Sequence, residues 1–193
     1  MIHRILIVGL GSIGTRHLRM ARELNPGAQI RVLRRQADAA VPEPADGCCS
    51  SLEEAIEFAP QLSVIANPAP FHVSVALPLA RAGSHLLIEK PLAVSAAEVL
   101  PLLELVDRAR LTLLTGYNLR FVPSLDRFRR LLHEGIVGRV ESVRCEVGQY
   151  LPDWRPGADY RLGVSARREL GGGALLELSH ELDYLRWIFG DVQ

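Results

Sequence analysis

Lysine is nearly absent. Of 22 basic residues, 21 are arginine and one is lysine, Lys90. Cysteine is scarce too. Cys48 and Cys49 are adjacent and Cys145 stands alone, and three cysteines give no disulfide framework. An odd, small count reads as a reduced, cytoplasmic protein. Neither sign of charge is in excess, with 22 basic and 22 acidic residues. That balance, with arginines dispersed along the chain, argues against nucleic acid as a partner. No apolar run approaches the roughly 18 residues that cross a bilayer, so no membrane partner is expected. The apolar start of the chain runs straight into Gly9-Leu10-Gly11 with no cleavage-type site, so it reads as a strand and not a signal peptide. No internal repeat, low-complexity tract or metal-ligand constellation is found.

What is present is the composition of a globular chain: 48% hydrophobic and 23% charged residues over 193 positions. That length buries a real core, as one large domain or two small ones. Short apolar runs at 4–8, 30–33, 62–66, 85–88 and 111–115 read as buried parallel strands. Helical stretches fall between them, at 13–24, from 52 to about 60, at 70–82 and from 96 to about 108. Ser51…Glu54 and Ser95…Glu98 have capping-box spacing, and Gly83 has the place of a C-terminal cap. Residues 37–47, with Pro42 and Pro44, read as a loop. Strand–helix alternation to residue 117 predicts an α/β fold with a doubly wound parallel sheet, the Rossmann pattern.

The rhythm then changes. A helix is expected near 124–134, a longer alternating strand at 140–148, and an apolar helix from Gly171-Gly172-Gly173 to about 189. One strand and one helix make a poor autonomous core. Residues 118–193 therefore read as the beginning of a second domain, and the chain as an N-terminal portion of a longer protein. The competing reading is a complete small protein with an elaborated single domain.

Gly9, Gly11 and Gly14 spell G-x-G-x-x-G between the first strand and the first helix. The first glycine permits a tight turn, the second lets a pyrophosphate approach, and the third lets helix and strand pack closely. The anion then sits on free N–H groups at a helix N-terminus. A dinucleotide is the expected ligand; a methyltransferase loop and a glycine turn kept for packing are the competitors. After the second strand comes Leu33-Arg34-Arg35-Gln36, without the acid that usually holds a 2′-hydroxyl. Arg34 and Arg35 suit a 2′-phosphate, so NADP is preferred over NAD. In a chain this rich in arginine, two solvated guanidinium groups remain the bland alternative.

Glu89-Lys90-Pro91 follows the strand at 85–88. Ligands in open α/β sheets bind at the carboxyl ends of strands, so this tripeptide faces the crevice. The one lysine therefore falls at a position where its chemistry matters. An ammonium can relay a proton, and a guanidinium cannot.

With these motifs in view, the sequence resembles the glucose–fructose oxidoreductase / inositol dehydrogenase (Gfo/Idh/MocA) family. The resemblance rests on Val8-Gly9-Leu10-Gly11-Ser12-Ile13-Gly14 with His17, and on Asn67-Pro68 followed by His72. It continues through Ala82-Gly83-Ser84-His85 into Glu89-Lys90-Pro91, and Gly116-Tyr117-Asn118-Leu119-Arg120-Phe121. It ends with Gly171-Gly172-Gly173 and His180-Glu181-Leu182-Asp183. It implies an NAD(P)-dependent oxidoreductase of sugars, cyclitols and related compounds. It also implies a Rossmann domain followed by an α/β domain with a mostly antiparallel sheet. Lys90 would match the family's active-site lysine and His180 its catalytic histidine. The wording Leu178-Ser179-His180-Glu181-Leu182-Asp183-Tyr184 is similar to members associated with bacterial surface sugars, including sialic-acid-like ones. One departure is that Glu177 stands three residues before His180, where the family often has Asp four before. That leaves Glu177 and Glu181 as rival carboxylates.

Chemistry fits these roles. Oxidising a secondary alcohol removes a hydride and a proton; a histidine suits the proton and an ammonium the developing alkoxide. On one helix, Glu177, His180 and Asp183 would share a face. The plain alternative for His180 is a satisfied structural histidine. In the cofactor cradle we expect Gly9, Gly11, Ser12, Ile13, Gly14, Arg34, Arg35, Asn67, Pro68, Glu89 and Lys90. His72 either lines the nicotinamide pocket or packs, and His17 packs near the glycine turn. Asn118 and Arg120 either hold substrate or brace a hinge. Trp154 and Tyr160 belong to a polar-aromatic loop that suits a sugar or an oligomer interface. The expected whole is a homo-oligomeric sugar dehydrogenase; the alternative is a catalytically silent nucleotide-binding module.

Overall fold

β-branched and leucine-rich runs of four or five residues are buried on both faces when helices cover both sides of a sheet. The first unit of the chain is built this way. The computed structural model describes residues 2–34, 40–154, 157 and 159–191. It divides into two compact units, Met1–Gly116 and Tyr117–Gln193.

In the first unit, strands β1 (Arg4–Val8), β2 (Gln29–Leu33), β3 (Gly47–Cys49), β4 (Leu62–Ile65), β5 (His85–Ile88) and β6 (Leu113–Thr115) form one sheet. The order is β3-β2-β1-β4-β5-β6, and every pairing is parallel. Helices α1 (Ser12–Leu24), α2 (Leu52–Glu57), α3 (His72–Arg81) and α4 (Ala96–Arg108) connect the strands. Alternation along β1 splits the core in two. Ile5 and Ile7 pack with Leu18, Ile30, Val32 and Val64. Leu6 and Val8 pack with Ile65, Leu79, Ile88 and Leu102 on the other face. From β1 the sheet grows outward to β3, and from β4 to β6 in the opposite direction. The switch between β1 and β4 opens a crevice at their carboxyl ends.

The second unit holds α5 (Pro123–His133), α6 (Ala174–Glu177) and α7 (Ser179–Phe189), with short 3₁₀ turns between α5 and α6. The last carbonyls of α7 have no partner within the helix. Arg129 Nε donates to Trp187 O at 3.2 Å, and His133 Nε2 lies 3.0 Å from Ile188 O. Two basic side chains thus close a helix C-terminus, where the macrodipole favours them.

Several expectations are corrected. Residues 140–148 carry no strand, and no antiparallel sheet occurs among the described residues of the second unit. A strand exists only through its ladder, and no described segment of this unit pairs with that run. The expected single helix to 189 is two, α6 and α7, broken at Leu178 (φ −98°, ψ 25°). Of the expected 37–47 loop, residues 37–39 lie outside the described residues, and the rest ends at β3, a strand not anticipated. Ser95 makes no side-chain cap, whereas Ser51 Oγ accepts from Glu54 N at 3.2 Å. The Gly83 cap forms as expected: Gly83 N donates to Ala80 O and Ser84 N to Leu79 O, with Gly83 at φ +91°.

Candidate active site

The glycine turn joins β1 to α1. Gly9 has φ +86°, and a Cβ there would lie 2.9 Å from the Ala66 carbonyl and the Asn67 backbone. A Cβ on Gly14 would meet Gly9 O at 2.1 Å. Both positions are filled by backbone. Gly11 differs: a Cβ there would meet nothing within 4 Å. The open face lies at the N-terminus of α1, where Ser12 and Ile13 begin the helix. Gly11 is the N-cap, no side chain caps the helix, and no acid occupies its first turn. This is the surface an anion requires. Asn67, on the loop after β4, has a buried Oδ1 without a hydrogen-bond partner among the described residues. These features fit a dinucleotide with its diphosphate on the turn.

Arg34 follows β2, where its N–H donates to Cys49 O at 3.2 Å and its Nη2 to Ala40 O at 2.5 Å. Its neighbour Arg35 lies outside the described residues. No carboxylate occurs at 33–36 to compete for it.

Glu89 leaves the carboxyl end of β5. His17, in the second turn of α1, donates from Nε2 to Glu89 Oε1 at 2.6 Å, and Lys90 N donates to Oε2 at 3.2 Å. Gly116, just past β6, forms the wall; a Cβ there would stand 2.9 Å from Oε1. Burial pushes the Glu89 carboxyl up. The hydrogen bond and charge of His17, with those of Lys90, more than offset it, and Glu89 is held below the usual carboxylate value. Lys90 is half-buried and its bond to Pro91 is cis. His17, read as a packing residue, is therefore the hydrogen-bond partner of Glu89.

His72 is 1% exposed. Its Nε2 lies 2.7 Å from Asn67 O and its Nδ1 3.0 Å from Pro91 O. Both nitrogens face backbone carbonyls from two loops, and the one N–H of the neutral ring donates to one of them. These contacts fit the packing alternative for His72. Burial holds its pKa below the ordinary value, against the opposing pull of the Asn67, Pro91 and Leu92 backbone and the Glu89 charge. Pro68 begins the turn into α3, at the N-cap of the 3₁₀ segment Ala69–Phe71.

In the second unit, His180 lies in the first turn of α7, half-buried, with the Tyr117 ring edge-on at 5.6 Å. Asp183 is one turn on. Both its oxygens accept from Arg120, at 2.8 Å from Nε and 2.6 Å from Nη2. The pair raises the Arg120 pKa above its ordinary value. Asp183 is thus a bidentate anchor for Arg120. The shared face of Glu177, His180 and Asp183 is corrected as well: Glu177 ends α6, on the far side of the break from His180. Asn118 is exposed at the start of a 3₁₀ turn. Tyr117, Arg120, Asp183 and Trp187 line one groove of about 540 Å³. Trp154 and Tyr160 line a separate hollow of about 330 Å³, so the structure does bring that aromatic pair together. Among the described residues, no group of three or more His, Cys, Asp or Glu could hold a metal. No helix there is long and apolar enough to cross a membrane.

The sheet order, the switch point and the glycine turn define a Rossmann unit of the dinucleotide-binding class. The chain belongs to the GFO/IDH/MocA oxidoreductase family: residues 3–117 match its NAD-binding Rossmann fold, and residues 125–193 match a GFO/IDH/MocA C-terminal domain. It is 29% identical over 200 residues to inositol 2-dehydrogenase of Rhizobium meliloti, covering 99% of this chain and 56% of the relative. It is 30% identical over 129 residues to levoglucosan dehydrogenase of Pseudarthrobacter phenanthrenivorans, covering 66% and 32%. Among solved structures it resembles the WlbA dehydrogenase of Chromobacterium violaceum in complex with NADH and UDP-GlcNAcA. There the TM-score is 0.81 at 22% identity, over 100% of this chain and 56% of that one. The chain spans about half the length of such relatives at most.

Proposed function

We propose that the protein is an NAD(P)-dependent oxidoreductase that moves a hydride between a nicotinamide and a hydroxyl-bearing carbon of a sugar, cyclitol or sugar derivative. The observation that carries this is the Glu89-Lys90-Pro91 turn at the carboxyl edge of the sheet. It is fastened through His17 to the helix that the glycine turn opens. A bound nicotinamide supplies hydride acceptance and donation. Gly9, Gly11, Ser12, Ile13 and Gly14 take the diphosphate, and Asn67 and Pro68 the nicotinamide side. Lys90 places positive charge beside the substrate oxygen as the hydride leaves. His180 takes the hydroxyl proton, or returns it in reduction. Arg120, held by Asp183, and Asn118 orient the substrate's polar groups, and Trp154 and Tyr160 present faces to a sugar ring. Glu177, at the end of α6, and Glu181, next to His180 on α7, are the two candidate carboxylates for His180.

NADP is the preferred cofactor in this reading. Arg34 follows β2, and no acid stands at 33–36 to hold a 2′-hydroxyl. Nucleotide-linked or other surface-type sugars are the substrate class proposed, because a WlbA dehydrogenase carrying UDP-GlcNAcA shares the fold. The working form is a cytoplasmic homo-oligomer.

The experiment is hydride transfer between NADP(H) or NAD(H) and a panel of sugars and nucleotide sugars, followed by nicotinamide absorbance. Wild-type protein turns over. Lys90→Met combined with His180→Ala loses about 10²-fold or more in kcat. Turnover that survives the double substitution overturns the mechanism. Tight binding of nucleotide without turnover on any sugar favours a silent binding module instead. Equal affinity for the two cofactors, unchanged in Arg34→Ala, overturns the NADP preference.

A further inference from the structure

Lys90 lies between two residues that are each within hydrogen-bond distance of a histidine from a different helix. On one side, the Glu89 carboxylate accepts His17 Nε2 of α1 at 2.6 Å. On the other, the Pro91 carbonyl lies 3.0 Å from His72 Nδ1 of α3, while His72 Nε2 lies 2.7 Å from Asn67 O. Neither ring is a loose surface group: His72 is 1% exposed, and the His17 and Glu89 side chains are 18% and 13% exposed. A buried polar ring costs free energy unless its nitrogens are bonded. An aliphatic side chain would fill the space of His72 without that cost, but it would bring no N–H to either carbonyl. The Glu89 carboxylate is boxed in on further sides by Lys90 N and by Gly116.

We propose that His17 and His72 are positioning residues for Lys90. His17 ties the Glu89-Lys90-Pro91 turn to the helix that begins at the glycine turn, and His72 is wedged between that turn and Asn67, its one N–H shared by the two facing carbonyls. Neither touches the reacting atoms. A lysine side chain is long and flexible, so its ammonium is placed only as well as its backbone is held. Misplacement of a reacting group by about 1 Å can cost about 10²-fold in rate. Gripping the residues before and after Lys90 fixes that backbone against both halves of the cofactor cradle. This inference rests on the role given to Lys90 above.

The arginine-rich composition makes the idea testable at one atom. Lys90 is the single lysine of the 193-residue chain. Reductive methylation with carbon-13 formaldehyde therefore labels its amine and the α-amino group alone, and Lys90→Met tells the two resonances apart. His72→Leu and His17→Leu remove the grips, while His72→Gln and His17→Gln keep one donor each. The dimethyl-Lys90 resonance is expected to move and broaden in both leucine variants and to return toward wild type in the glutamine variants. Backbone amide signals of β1 and β4 stay in place. If His72→Leu does not fold, the His72→Gln and His17 pair carry the test. In turnover, kcat falls about tenfold or more while the cofactor KM changes less than about twofold. An unmoved Lys90 resonance in folded leucine variants overturns the proposal. So does a shifted resonance with unchanged kcat, or a loss confined to cofactor KM. If wild type transfers no hydride, the functional reading fails, and the resonance test still decides whether the histidines hold Lys90.

Discussion

Two glycines of the site differ in what a methyl group would meet. A Cβ on Gly14 would collide with the Gly9 carbonyl at 2.1 Å, and that atom cannot move without the whole turn. A Cβ on Gly116 would press on the Glu89 carboxylate at 2.9–3.0 Å, the free end of a side chain. Gly14→Ala is therefore expected to abolish nucleotide binding and to destabilise the first unit by about 3 kcal/mol or more, at the upper end of overpacking costs. Gly116→Ala is expected to cost only about 1 kcal/mol, the low end of that range, while separating Glu89 from His17. Denaturant titration with NADH and NADPH binding checks both, and equal losses in the two variants would show the contrast to be wrong. The role of Gly14 was legible because its three-glycine spacing is local. That of Gly116 was not, and neither was the His17–Glu89 pair, whose members are 72 residues apart. No local pattern records such a contact; only the parallel sheet, by placing α1 beside the end of β5, creates it.

Helix ends were read with mixed success, and the reasons are local. Ser51 caps α2, but Glu54 reaches Ser50 N at 2.8 Å instead of closing the box on Ser51. Gly83 supplies the left-handed residue after α3, as its type leads one to expect. After α4 the same place is taken by Arg110 at φ +52°, a conformation that disfavours a side chain. Arg110→Gly is thus expected to stabilise the first unit by up to about 1 kcal/mol, the left-handed cost less the extra chain entropy of glycine. A rise of a few degrees in the unfolding midpoint would confirm it, and a fall would contradict it. β3 escaped the sequence reading because Gly47-Cys48-Cys49 has no strand-like pattern; its pairing with Arg31, Val32 and Leu33 makes it a strand. The break at Leu178 escaped for the opposite reason. Apolar spacing runs on across it, and periodicity does not register one residue leaving the helix.

The two units differ in how they are held. Among the described residues, the buried apolar side chains lie in the first unit, with the single exception of Ile188 in the second. Val140, Val143 and Val147 are each more than 40% exposed, on a segment with no ladder. Hydrogen exchange on the 193-residue chain should therefore find β1 and β4 protected up to global unfolding, and residues 139–150 exchanging at nearly unprotected rates. Protection of 139–150 comparable with β1 would contradict this. The doubly wound unit was legible in outline, β3 apart, since each of its other strands carries its own apolar run. The second unit was not, because 140–148 has the alternation of a strand, and a strand needs neighbours that alternation does not supply.

A parallel sheet has a direction, and here that direction separates two trades. Every β-to-α connection of the first unit emerges on the edge that carries the glycine turn, Asn67 and Lys90. Every return emerges on the opposite edge. That far edge is stitched by short side chains: Gln61 Oε1 accepts from His3 N at 2.6 Å and Arg4 N at 3.2 Å, and His85 Nδ1 accepts from Thr112 N at 2.9 Å. The turn at Gly27 is braced by Arg22, which donates to Pro26 O at 3.0 Å and Ala28 O at 2.7 Å, yet a Cβ on Gly27 itself would meet nothing within 4 Å. For anyone who wishes to graft a reporter, a tether or a second protein onto this scaffold, the reverse side is the place to cut.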